Sequence, residues 1–595
     1  MDTKGYPAVP GRLESFLLQK ISRRSGNRQP ALQALASEVL CRISKVRSLD
    51  TLLESIEHLR DTDLLDEVFD RLSVSYYVSL GDRLRIPSEG RLIVVANHPL
   101  GALDGLALLR AVKEVRPDVR IVVNEWLMEI DPLKELFLPY GVFTRKVQRQ
   151  RLSEIGRALE NEEAVIFFPA AEVARMDWRG IRESRWRNGP VHFAMKCGSP
   201  ILPVHMRARN SAIFYASSLF TRTLSTALLP REIFTRRTKT LMVRIGDVIP
   251  ARSLTGSGLR PAEVTRLLKK HVGRLGKGRA GVFQTEKSII PPVRRSSLLK
   301  EIACTERLGR TSEGYALVLT GLNETPTLLR EVGRLRERAF RSVGEGTGER
   351  MDLDRFDSWY RHLVLYDEGN QEVVGAYRLG LLEDMPTSSG SMAFYGRTLF
   401  SYGSKLESLL PEAVELGRSF IQPAYWNSRA LDSLWQGIGA FLVSRPHIRY
   451  MIGCVSISGT YPEAARGLIV DFYRRWFGDS EEMVKPRIPY VPPRTEEWDG
   501  KSEPGLTLAE EAKCLKRTLK QYGCSIPTLY KQYADLCEPG GVRFLGFGVD
   551  PDFGHCVDGF ILVDTNRLKP SKRKRYLDCH GSGPEGAGGQ ETRAS

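Results

Sequence analysis

A histidine and an aspartate that follow a short apolar run are the residues of this chain best suited to chemistry. The run Leu92–Ala96 predicts a buried strand, Asn97-His98 follows it directly, and Asp104 comes after a turn that contains proline and glycine. This order predicts that the imidazole and the carboxylate meet at the mouth of a sheet. A carboxylate in that position orients the imidazole and raises its basicity, which makes a general base for a hydroxyl nucleophile.

The block resembles block I of the glycerolphosphate-type acyltransferases, in which Asn-His is followed by an aspartate. Five residues separate His98 from Asp104, which is similar to the Asn-His-Pro-x-Gly-x-x-Asp-Gly form of the hemolysin-related branch. The resemblance implies that His98 and Asp104 are catalytic and that Asn97 and Gly101 bind substrate. A structural His–Asp pair in a surface turn is the alternative.

Three later segments resemble further blocks of the same acyltransferases. Phe167-Phe-Pro-Ala-Ala-Glu172 is similar to block III, and Ile201-Leu-Pro-Val204 is similar to the hydrophobic block IV. Gly141-Val-Phe-Thr-Arg145 resembles block II, whose arginine contacts an anionic acceptor in that family. The resemblance implies substrate-binding roles for Arg145 and Glu172, and Arg175 is a further candidate for binding an anion.

The implied reaction in the N-terminal half is a direct acyl transfer. His98 would take the proton of an acceptor hydroxyl, and Asp104 would orient the imidazolium that forms. The alkoxide would then attack the carbonyl carbon of a fatty acyl thioester, which requires an oxyanion stabiliser but no covalent acyl-enzyme.

A second set of candidate residues lies in the C-terminal half. Taken singly, each member is typical of a solvated charge, a structural ion pair or a packed ring. In this order they resemble the GNAT-type N-acyltransferases that are similar to acyl-homoserine-lactone synthases, and above all the ornithine-lipid N-acyltransferases. The residues that carry the resemblance are Arg336, Phe340, Asp354, Asp357, Arg378, Glu415 and Arg418.

The resemblance implies an amine acceptor and a fatty acyl donor carried on the phosphopantetheine of acyl carrier protein. Glu415 would bind or deprotonate the amine, and Arg378 and Arg418 would hold a carboxylate or a phosphate by paired hydrogen bonds. The other members would bind substrate. Glu415 and Arg418 are three residues apart, so they face opposite sides of a regular strand unless a bulge intervenes. The pyrophosphate loop of the wider superfamily matches Gln436–Phe441 only partly, which weakens coenzyme A as the donor.

Strand–helix alternation between residues 91 and 250 predicts an α/β domain with a mainly parallel sheet. We expect a C-terminal α+β GNAT-type N-acyltransferase domain after it. The expected organisation is a helical N-terminal region at 1–85, an O-acyltransferase domain at 86–272, a linker at 273–300, an N-acyltransferase domain at 301–570 and a disordered tail at 571–595. The predicted strands are Leu92–Ala96, Val119–Asn124, Ala164–Phe168, Ile201–His205, Leu241–Ile245, His362–Tyr366, Glu372–Leu379, Ala413–Ile421, Arg449–Ile457 and Asp558–Asp564.

Composition narrows the choice of partners. A net charge of +16 favours anionic lipid headgroups or an acidic carrier protein. Zinc-finger spacing and a basic heptad region are absent from the sequence, so we expect no nucleic-acid partner. Nine cysteines without CxxC spacing indicate reduced thiols and no metal site.

The sequence predicts a protein without a membrane span. No segment reaches the roughly 18 to 20 apolar residues of a transmembrane helix, and no signal segment opens the chain. Residues 11–24 mix apolar and basic positions at helical spacing, which fits a membrane-surface helix or a helix packed on its own domain. We expect a cytoplasmic protein that lies peripherally on the inner face of the cytoplasmic membrane.

Together the two resemblances imply a bacterial bifunctional enzyme of ornithine-lipid biosynthesis. The C-terminal domain would join a 3-hydroxyacyl group to the amine of ornithine, and the N-terminal domain would acylate the new hydroxyl of the lyso-lipid. One alternative is a lysophospholipid acyltransferase fused to an N-acyltransferase for another amino acid or amine, such as glycine or lysine. Another is a non-catalytic, hemolysin-like membrane-binding protein.

Overall fold

The computed structural model describes residues 43–581 except 125–126, 129–130, 141–144, 179, 236–239, 257, 387–389 and 494–505. The chain divides into two compact units, an N-terminal unit that ends at Pro291 and a C-terminal unit that begins at Pro292. The division falls inside the predicted linker at 273–300. The predicted helix at residues 11–24 lies outside the described residues.

A seven-stranded sheet forms the centre of the N-terminal unit. Its strands and those of a separate hairpin are, in chain order, β1 (Ser75–Val78), β2 (Leu92–Ala96), β3 (Val119–Asn124), β4 (Phe137–Tyr140), β5 (Ala164–Phe167), β6 (Arg175–Asp177), β7 (Gly180–Arg182), β8 (Ile201–Arg207) and β9 (Thr240–Ile245). The order across the sheet is β1-β9-β8-β2-β5-β3-β4, and β6 pairs only with β7. All neighbours in the large sheet are parallel except β8 and β9. Every residue of β2 and β5 is buried, as is typical of the central strands of a parallel sheet.

Helices cover both faces of this sheet. They are α1 (Val46–Ser55), α2 (Asp61–Leu72), α3 (Leu80–Arg83), α4 (Ala102–Lys113), α5 (Arg145–Glu160), α6 (Gly189–Cys197), α7 (Ala212–Phe220), α8 (Arg222–Ala227), α9 (Leu229–Thr235), α10 (Ala251–Thr255) and α11 (Pro261–Gly276). Two hydrophobic clusters lie on opposite faces because successive side chains of β2 alternate between them: Val94 and Ala96 join one cluster, and Ile93 and Val95 join the other.

The five strands predicted for this unit are present, with ends that shift by no more than two residues. Two strands of the large sheet, β1 and β4, and the two strands of the β6–β7 hairpin were not predicted. β1 lies in a stretch expected to be helical, and because it pairs with β9, the α/β domain begins before residue 86. β4 is only four residues long and contains Pro139, so its sequence lacks a strand pattern.

An eight-stranded sheet forms the centre of the C-terminal unit. Its strands and those of a small separate pair are β10 (Glu306–Arg310), β11 (Ala316–Thr320), β12 (Arg361–Asp367), β13 (Glu372–Leu381), β14 (Phe400–Tyr402), β15 (Ala413–Ile421), β16 (Tyr450–Ile457), β17 (Val484–Pro486), β18 (Val542–Asp550) and β19 (Cys556–Asp564). The order is β10-β11-β12-β13-β15-β16-β19-β18, and β14 pairs with β17. The predicted fold class, α/β followed by α+β, is confirmed.

Two irregularities in the middle of this sheet shape a cleft. β15 and β16 are parallel but pair only through Ala413–Glu415 and Tyr450–Ile452 before they diverge. On its other side β15 carries one extra residue relative to β13, and Arg418 adopts a left-handed backbone with φ of 50°. This is a β-bulge, so the expectation of opposite faces for Glu415 and Arg418 does not apply.

The helices of the C-terminal unit are α12 (Arg295–Ile302), α13 (Pro326–Val343), α14 (Ser404–Glu407), α15 (Ala430–Ser444), α16 (Glu463–Phe477), α17 (Leu508–Gln521), α18 (Thr528–Ala534), α19 (Pro570–Arg573) and α20 (Cys579–Gly581), with a short π-helix at Lys574–Asp578 before α20. Within the described ranges, none of the helices in either unit has the length and apolar content that spanning a bilayer requires.

The predicted disordered tail is wrong over residues 571–581, which are helical. Tyr576 packs against Trp435 with ring centroids 6.2 Å apart, and its hydroxyl donates to Asp432 at 2.9 Å. Gly439 permits this approach because a Cβ there would lie 1.8 Å from the carbonyl oxygen of Tyr576. The partial match to a pyrophosphate loop is therefore the middle of helix α15, where glycine serves packing.

Candidate active sites

The His98–Asp104 pair lies just past the carboxyl end of β2. The Asp104 carboxylate is at the first turn of α4, and its Oδ2 accepts hydrogen bonds from the backbone of Leu100 at 2.8 Å and of Gly101 at 3.3 Å. Its Oδ1 lies 3.1 Å from Nδ1 of His98. The angle of this contact is poorer than a hydrogen bond requires, so a small rotation of the ring would complete the pair. Asp104 is fully buried, whereas the His98 side chain remains 18% exposed.

The surroundings of His98 favour a basic imidazole. Burial lowers the pKa of His98, but the Asp104 carboxylate outweighs it, with help from Glu183, so the pKa lies above its ordinary value. Phe168 packs on the ring with centroids 4.4 Å apart. Because Nδ1 faces Asp104, Nε2 is the nitrogen available to accept a proton from a bound hydroxyl.

Asn97 and Gly101 shape the backbone that positions the histidine. The Asn97 side chain donates to the carbonyl of Met206 at 2.9 Å and accepts from its N–H at 2.6 Å, which ties the end of β2 to β8. Gly101 has a φ of 105°, which a residue with a Cβ rarely adopts. The two residues therefore shape the turn, and their predicted contact with substrate stays a prediction.

The anion-binding candidates in this unit are largely occupied. Arg175 donates to the carbonyl of Arg222 at 2.9 Å, to Thr226 at 3.0 Å and to Ser225, which ties it to α8. Glu172 is half-exposed and lies 3.8 Å from both Arg175 and Arg222. The predicted anion-binding roles of Arg175 and Glu172 stay predictions. Arg145 begins α5, and the placement of its side chain lies outside the described residues.

Glu183 is a residue near His98 that the sequence patterns missed. Its carboxylate accepts a hydrogen bond from the backbone N–H of His98 at 2.6 Å and from the indole of Trp186 at 3.1 Å. The side chain thereby fixes the main chain at the catalytic position. Residue types alone carry no signal for it, because 85 residues separate it from His98.

In the C-terminal unit, most of the predicted substrate-binding residues form a buried ion network. Arg336 donates to Asp352 at 3.0 Å and to both oxygens of Asp357 at 3.2 Å. Arg378 donates to Asp354 at 2.7 Å and lies 3.4 Å from Asp357. Although burial opposes it, Arg336 and Arg378 hold the pKa of Asp357 well below its usual range.

This network engages Arg336, Asp357 and Arg378 with one another. All three are buried, with side chains no more than 1% exposed, and their predicted contact with substrate stays a prediction. Asp354 is partly exposed and caps the turn at Arg355–Ser358 by accepting from the N–H of Phe356 at 2.8 Å. Asp352, which the sequence patterns missed, completes the network.

Glu415 is also buried and fully engaged. Its carboxylate accepts hydrogen bonds from the N–H of Tyr395 at 3.0 Å, from the N–H of Gly396 at 2.7 Å and from the Tyr360 hydroxyl. Burial raises the pKa of Glu415, and these donors oppose the shift. The geometry gives Glu415 the role of holding the loop at Tyr395 against β15, and its predicted role as a base stays a prediction.

Arg418 is the predicted residue best placed to meet a substrate. The bulge brings its guanidinium between the rings of Tyr395 and Phe553, with centroids 5.1 and 4.5 Å from its central carbon. The carboxylates of Asp352 and Asp354 are 3.5 and 3.7 Å away, and Nε makes no hydrogen bond. Phe340 supports the arrangement from behind Phe553 at a centroid distance of 5.1 Å.

A group of acids near Arg418 was not predicted as a site. Asp550, Cys556 and Asp558 offer ligand atoms that lie within 4.8 Å of one another, a spacing at which a cation could bind. Burial, together with Asp550, raises the pKa of Asp558 to about 6. Burial, together with Asp558, raises the pKa of Glu345 to about 7, against the opposing charge of Arg418.

Comparisons with known proteins agree with this division. Residues 23–273 match a family described as Acyltransferase, and residues 335–436 match one described as Acetyltransferase (GNAT) domain. A glycine N(alpha)-acyltransferase of Bacteroides thetaiotaomicron is 31% identical over 49% of this chain and 89% of its own length. The chain belongs to the acyltransferases.

Two more relatives show both kinds of acyl transfer. A lyso-glycine lipid O-acyltransferase, also of Bacteroides thetaiotaomicron, is 27% identical over 38% of this chain and 88% of its own length. An L-ornithine N(alpha)-acyltransferase of Brucella abortus is 29% identical over 39% of this chain and 76% of its own length. The predicted fusion of an acyltransferase domain with a GNAT domain is confirmed, and the non-catalytic alternative is wrong.

Proposed function

We propose that this acyltransferase makes a diacylated amino-acid lipid in two consecutive steps. The C-terminal unit transfers a 3-hydroxyacyl group to the α-amine of ornithine, and the N-terminal unit acylates the hydroxyl of that lyso-lipid. The observation that carries the proposal is the presence in one chain of two domains whose relatives are named for these two kinds of step, an amino-acid N-acyltransferase and a lyso-lipid O-acyltransferase.

In the second step, His98 acts as the general base. Nε2 takes the proton of the lyso-lipid hydroxyl as its oxygen attacks the thioester carbon, and the thiolate leaves with the proton. Asp104 stabilises the intermediate imidazolium across 3.1 Å. An acceptor without a phosphate suits this site because the guanidinium of Arg175 is already engaged with α8.

In the first step, Arg418 binds the carboxylate of the amino acid and a nearby acid accepts the proton of its ammonium. Glu345 is suited to this proton transfer because its pKa of about 7 leaves a substantial ionised fraction at neutral pH. The Cys454 thiol adjoins the site, but burial, with Asp558 and Glu415, raises its pKa well above the usual range. The thiol therefore stays protonated, which favours direct transfer without an acyl-cysteine.

The charge around Arg418 supports ornithine as the acceptor. Two acids, Glu345 and Asp558, lie close enough to influence this one guanidinium, and Asp550 lies beside Asp558. An acceptor that brings a second ammonium would offset the negative charge of these acids. Glycine is the second candidate, because a relative named for glycine acylation aligns over the larger share of this chain. Glycine has no second ammonium to place beside these acids.

We further propose that the donor is acyl carrier protein, with its phosphopantetheine arm between the diverging ends of β15 and β16. Those strands leave backbone groups unpaired beyond Glu415 and Ile452, and an extended amide-bearing arm can hydrogen-bond to them. The charge of +16 suits an acidic carrier protein. The same charge suits peripheral attachment to the inner face of the cytoplasmic membrane.

Expression in a bacterium that lacks aminolipids tests the proposal, with extracted lipids analysed by mass spectrometry. We expect a new diacylated ornithine lipid. Absence of any new aminolipid despite good expression would refute the function. A glycine lipid instead would refute the choice of acceptor only.

The acceptor preference can be tested further with Asp558→Asn. Purified enzyme supplied with equal ornithine and glycine should lose preference for ornithine in this variant. Glu349→Gln, which changes a nearby exposed acid, is the matched control and should keep the preference. An unchanged preference in Asp558→Asn would exclude this acid from recognition.

A further inference from the structure

Helix α7 of the N-terminal unit is apolar on both of its faces. Its inner face packs Phe214 and Tyr215 into a cluster with Val173 and Leu228. Its outer face carries no charged residue and consists of Ala212, Ile213, Ala216, Leu219 and Phe220. A surface helix of a soluble protein normally turns a polar face to water, so an apolar outer face indicates contact with a second apolar phase.

The exposure of this surface is large for its residue types. Phe220 is 81% exposed, Leu219 56% and Ile213 52%. Trp178, at the turn of the β6–β7 hairpin, is 82% exposed, and the hairpin is joined to α7 because the N–H of Met176 donates to Ser218 at 3.0 Å. We call Trp178, Ile213, Leu219 and Phe220 the apolar face.

The stretch of chain that carries the apolar face is rich in positive charge. Between Glu172 and Arg222 the sequence has eight arginines and one lysine against three acids. Six of these arginines are exposed: Arg182, Arg185, Arg187, Arg207, Arg209 and Arg222. An aromatic and aliphatic face with a basic rim complements a surface that is apolar inside and anionic outside, which is an anionic lipid bilayer.

The apolar face is close to the catalytic turn. The N–H of Ala174 donates to the carbonyl of His98 at 3.0 Å, and Trp178 is four residues further along, which is about 13 Å of extended chain. A Cβ on Gly101 would lie 3.8 Å from both Leu229 of α9 and Val173. The β6–β7 hairpin is therefore tied directly to the turn that holds His98, and α7 is tied to it through the packing of Phe214 and Tyr215 against Val173.

We propose that the apolar face docks the N-terminal unit onto an anionic bilayer, so that a lipid hydroxyl at the membrane surface can reach His98. The helix lies in the interface with its outer face among the acyl chains, and the arginine rim contacts anionic headgroups. The identity of the lipid acceptor rests on the proposed function, whereas the docking itself does not.

Vesicle sedimentation with the full-length protein tests the docking. Vesicles of phosphatidylglycerol and phosphatidylcholine should bind the protein, and the triple variant Ile213→Ser/Leu219→Ser/Phe220→Ser should bind about tenfold more weakly or worse. Leu80→Ser, which changes a 75% exposed leucine in α3 of the same unit, is the matched control and should bind as the unsubstituted protein does. Binding should also weaken on pure phosphatidylcholine and at high salt.

Several outcomes would overturn the docking. One is equal binding by the triple variant with an unchanged circular-dichroism spectrum and melting temperature. Another is equal binding to neutral and anionic vesicles. Hydrogen exchange on the full-length protein adds a third: vesicles should slow exchange in the peptides that contain β6–β7 and α7. No slowing would mean that another copy or another segment of the chain covers the face.

A soluble acceptor separates docking from catalysis. With a short-chain N-(3-hydroxyacyl)ornithine, the triple variant should match the unsubstituted protein in O-acylation, and it should fall at least tenfold behind on an acceptor embedded in vesicles. A loss on both acceptors would place the face in the catalytic site and refute docking. If the unsubstituted protein acylates neither acceptor yet the vesicle results hold, only the proposed function fails.

Discussion

The two candidate active sites use charged residues in opposite ways. In the N-terminal unit a single buried carboxylate, Asp104, faces one partly exposed base, His98. In the C-terminal unit three arginines and three aspartates form a buried network, and Arg418 is the least buried of the three arginines, with a side chain 12% exposed against 1% for Arg336 and Arg378.

This difference shows that a sequence motif can consist of the reacting residues or of the residues that hold them in place. We call the buried ion network of the C-terminal unit the frame. The His98 block is contiguous, and its conspicuous residues are the ones proposed to react. The C-terminal pattern is spread over about 80 residues, and buried ion pairs of this kind set a specific arrangement more than they add stability. The groups proposed to act on the substrate are instead Arg418, Asp558 on β19 and Glu345, which follows α13.

The largest expected effect separates the two sites by activity. His98→Ala should lower O-acyl transfer by about 10²- to 10⁴-fold, since the general base is lost, while N-acyl transfer continues. Mass spectrometry of cellular lipids should show the monoacylated intermediate. Normal amounts of diacylated product would remove His98 from the mechanism.

A substitution in the frame should lower the stability of the C-terminal unit rather than slow one catalytic step. Arg336→Met leaves buried Asp352 and Asp357 without their partner, so the free energy of unfolding of the C-terminal unit should fall by about 3–5 kcal/mol. Arg307→Met, which breaks an exposed pair with Glu368 at 3.0 Å, is the control and should cost less than about 1 kcal/mol. Urea unfolding followed by tryptophan fluorescence measures both. Equal costs would mean that the network is not a frame.

The acids beside Arg418 should make the stability of the C-terminal unit depend on pH. The folded-state pKa of Asp558, about 6, lies above its unfolded value of about 3.9, so its favourable contribution is full below pH 4 and is lost as pH rises through 6. Asp558→Asn should remove this loss. Compared with the unsubstituted protein, its free energy of unfolding at pH 8 relative to pH 4 should therefore be higher by up to about 3 kcal/mol. Unfolding measured at both pH values tests this, and a variant whose stability changes with pH as before would contradict the assignment.

The smallest effect concerns the tuning of His98. The imidazole must be neutral to act as a base, and Asp104 raises its pKa, so O-acylation should fall as pH drops through a value above about 6.5. Asp104→Asn should move this acid limb to lower pH, besides slowing the reaction. The pH profile of O-acylation on a soluble acceptor measures the shift, and an unmoved limb would show that Asp104 does not set the pKa.

Where the sequence predicted well, the relevant interactions are local. The strand Leu92–Ala96, the turn and Asp104 lie within 13 residues, and the apolar run was predicted to its observed ends. Where it failed, partners are distant: Glu183 reaches His98 from 85 residues away, and residues 571–581 are ordered by contacts with α15. The composition of residues 571–595 suggested disorder. It could not reveal that Gly439 and Trp435, far earlier in the chain, would pack against Tyr576.

By itself the sequence determined that a histidine and an acid meet beyond a buried strand, and that two acyltransferase domains share the chain. It could do so because strand burial and a helix N-terminus follow from residues close together. Only the tertiary structure decided which charged residues bind one another in the buried network and which lie beside Arg418. The bulge at Arg418 arises from the pairing of β13 with β15. The acids reach it because β19 pairs with β18 and also with β16, whose residues come at least 100 positions earlier in the chain.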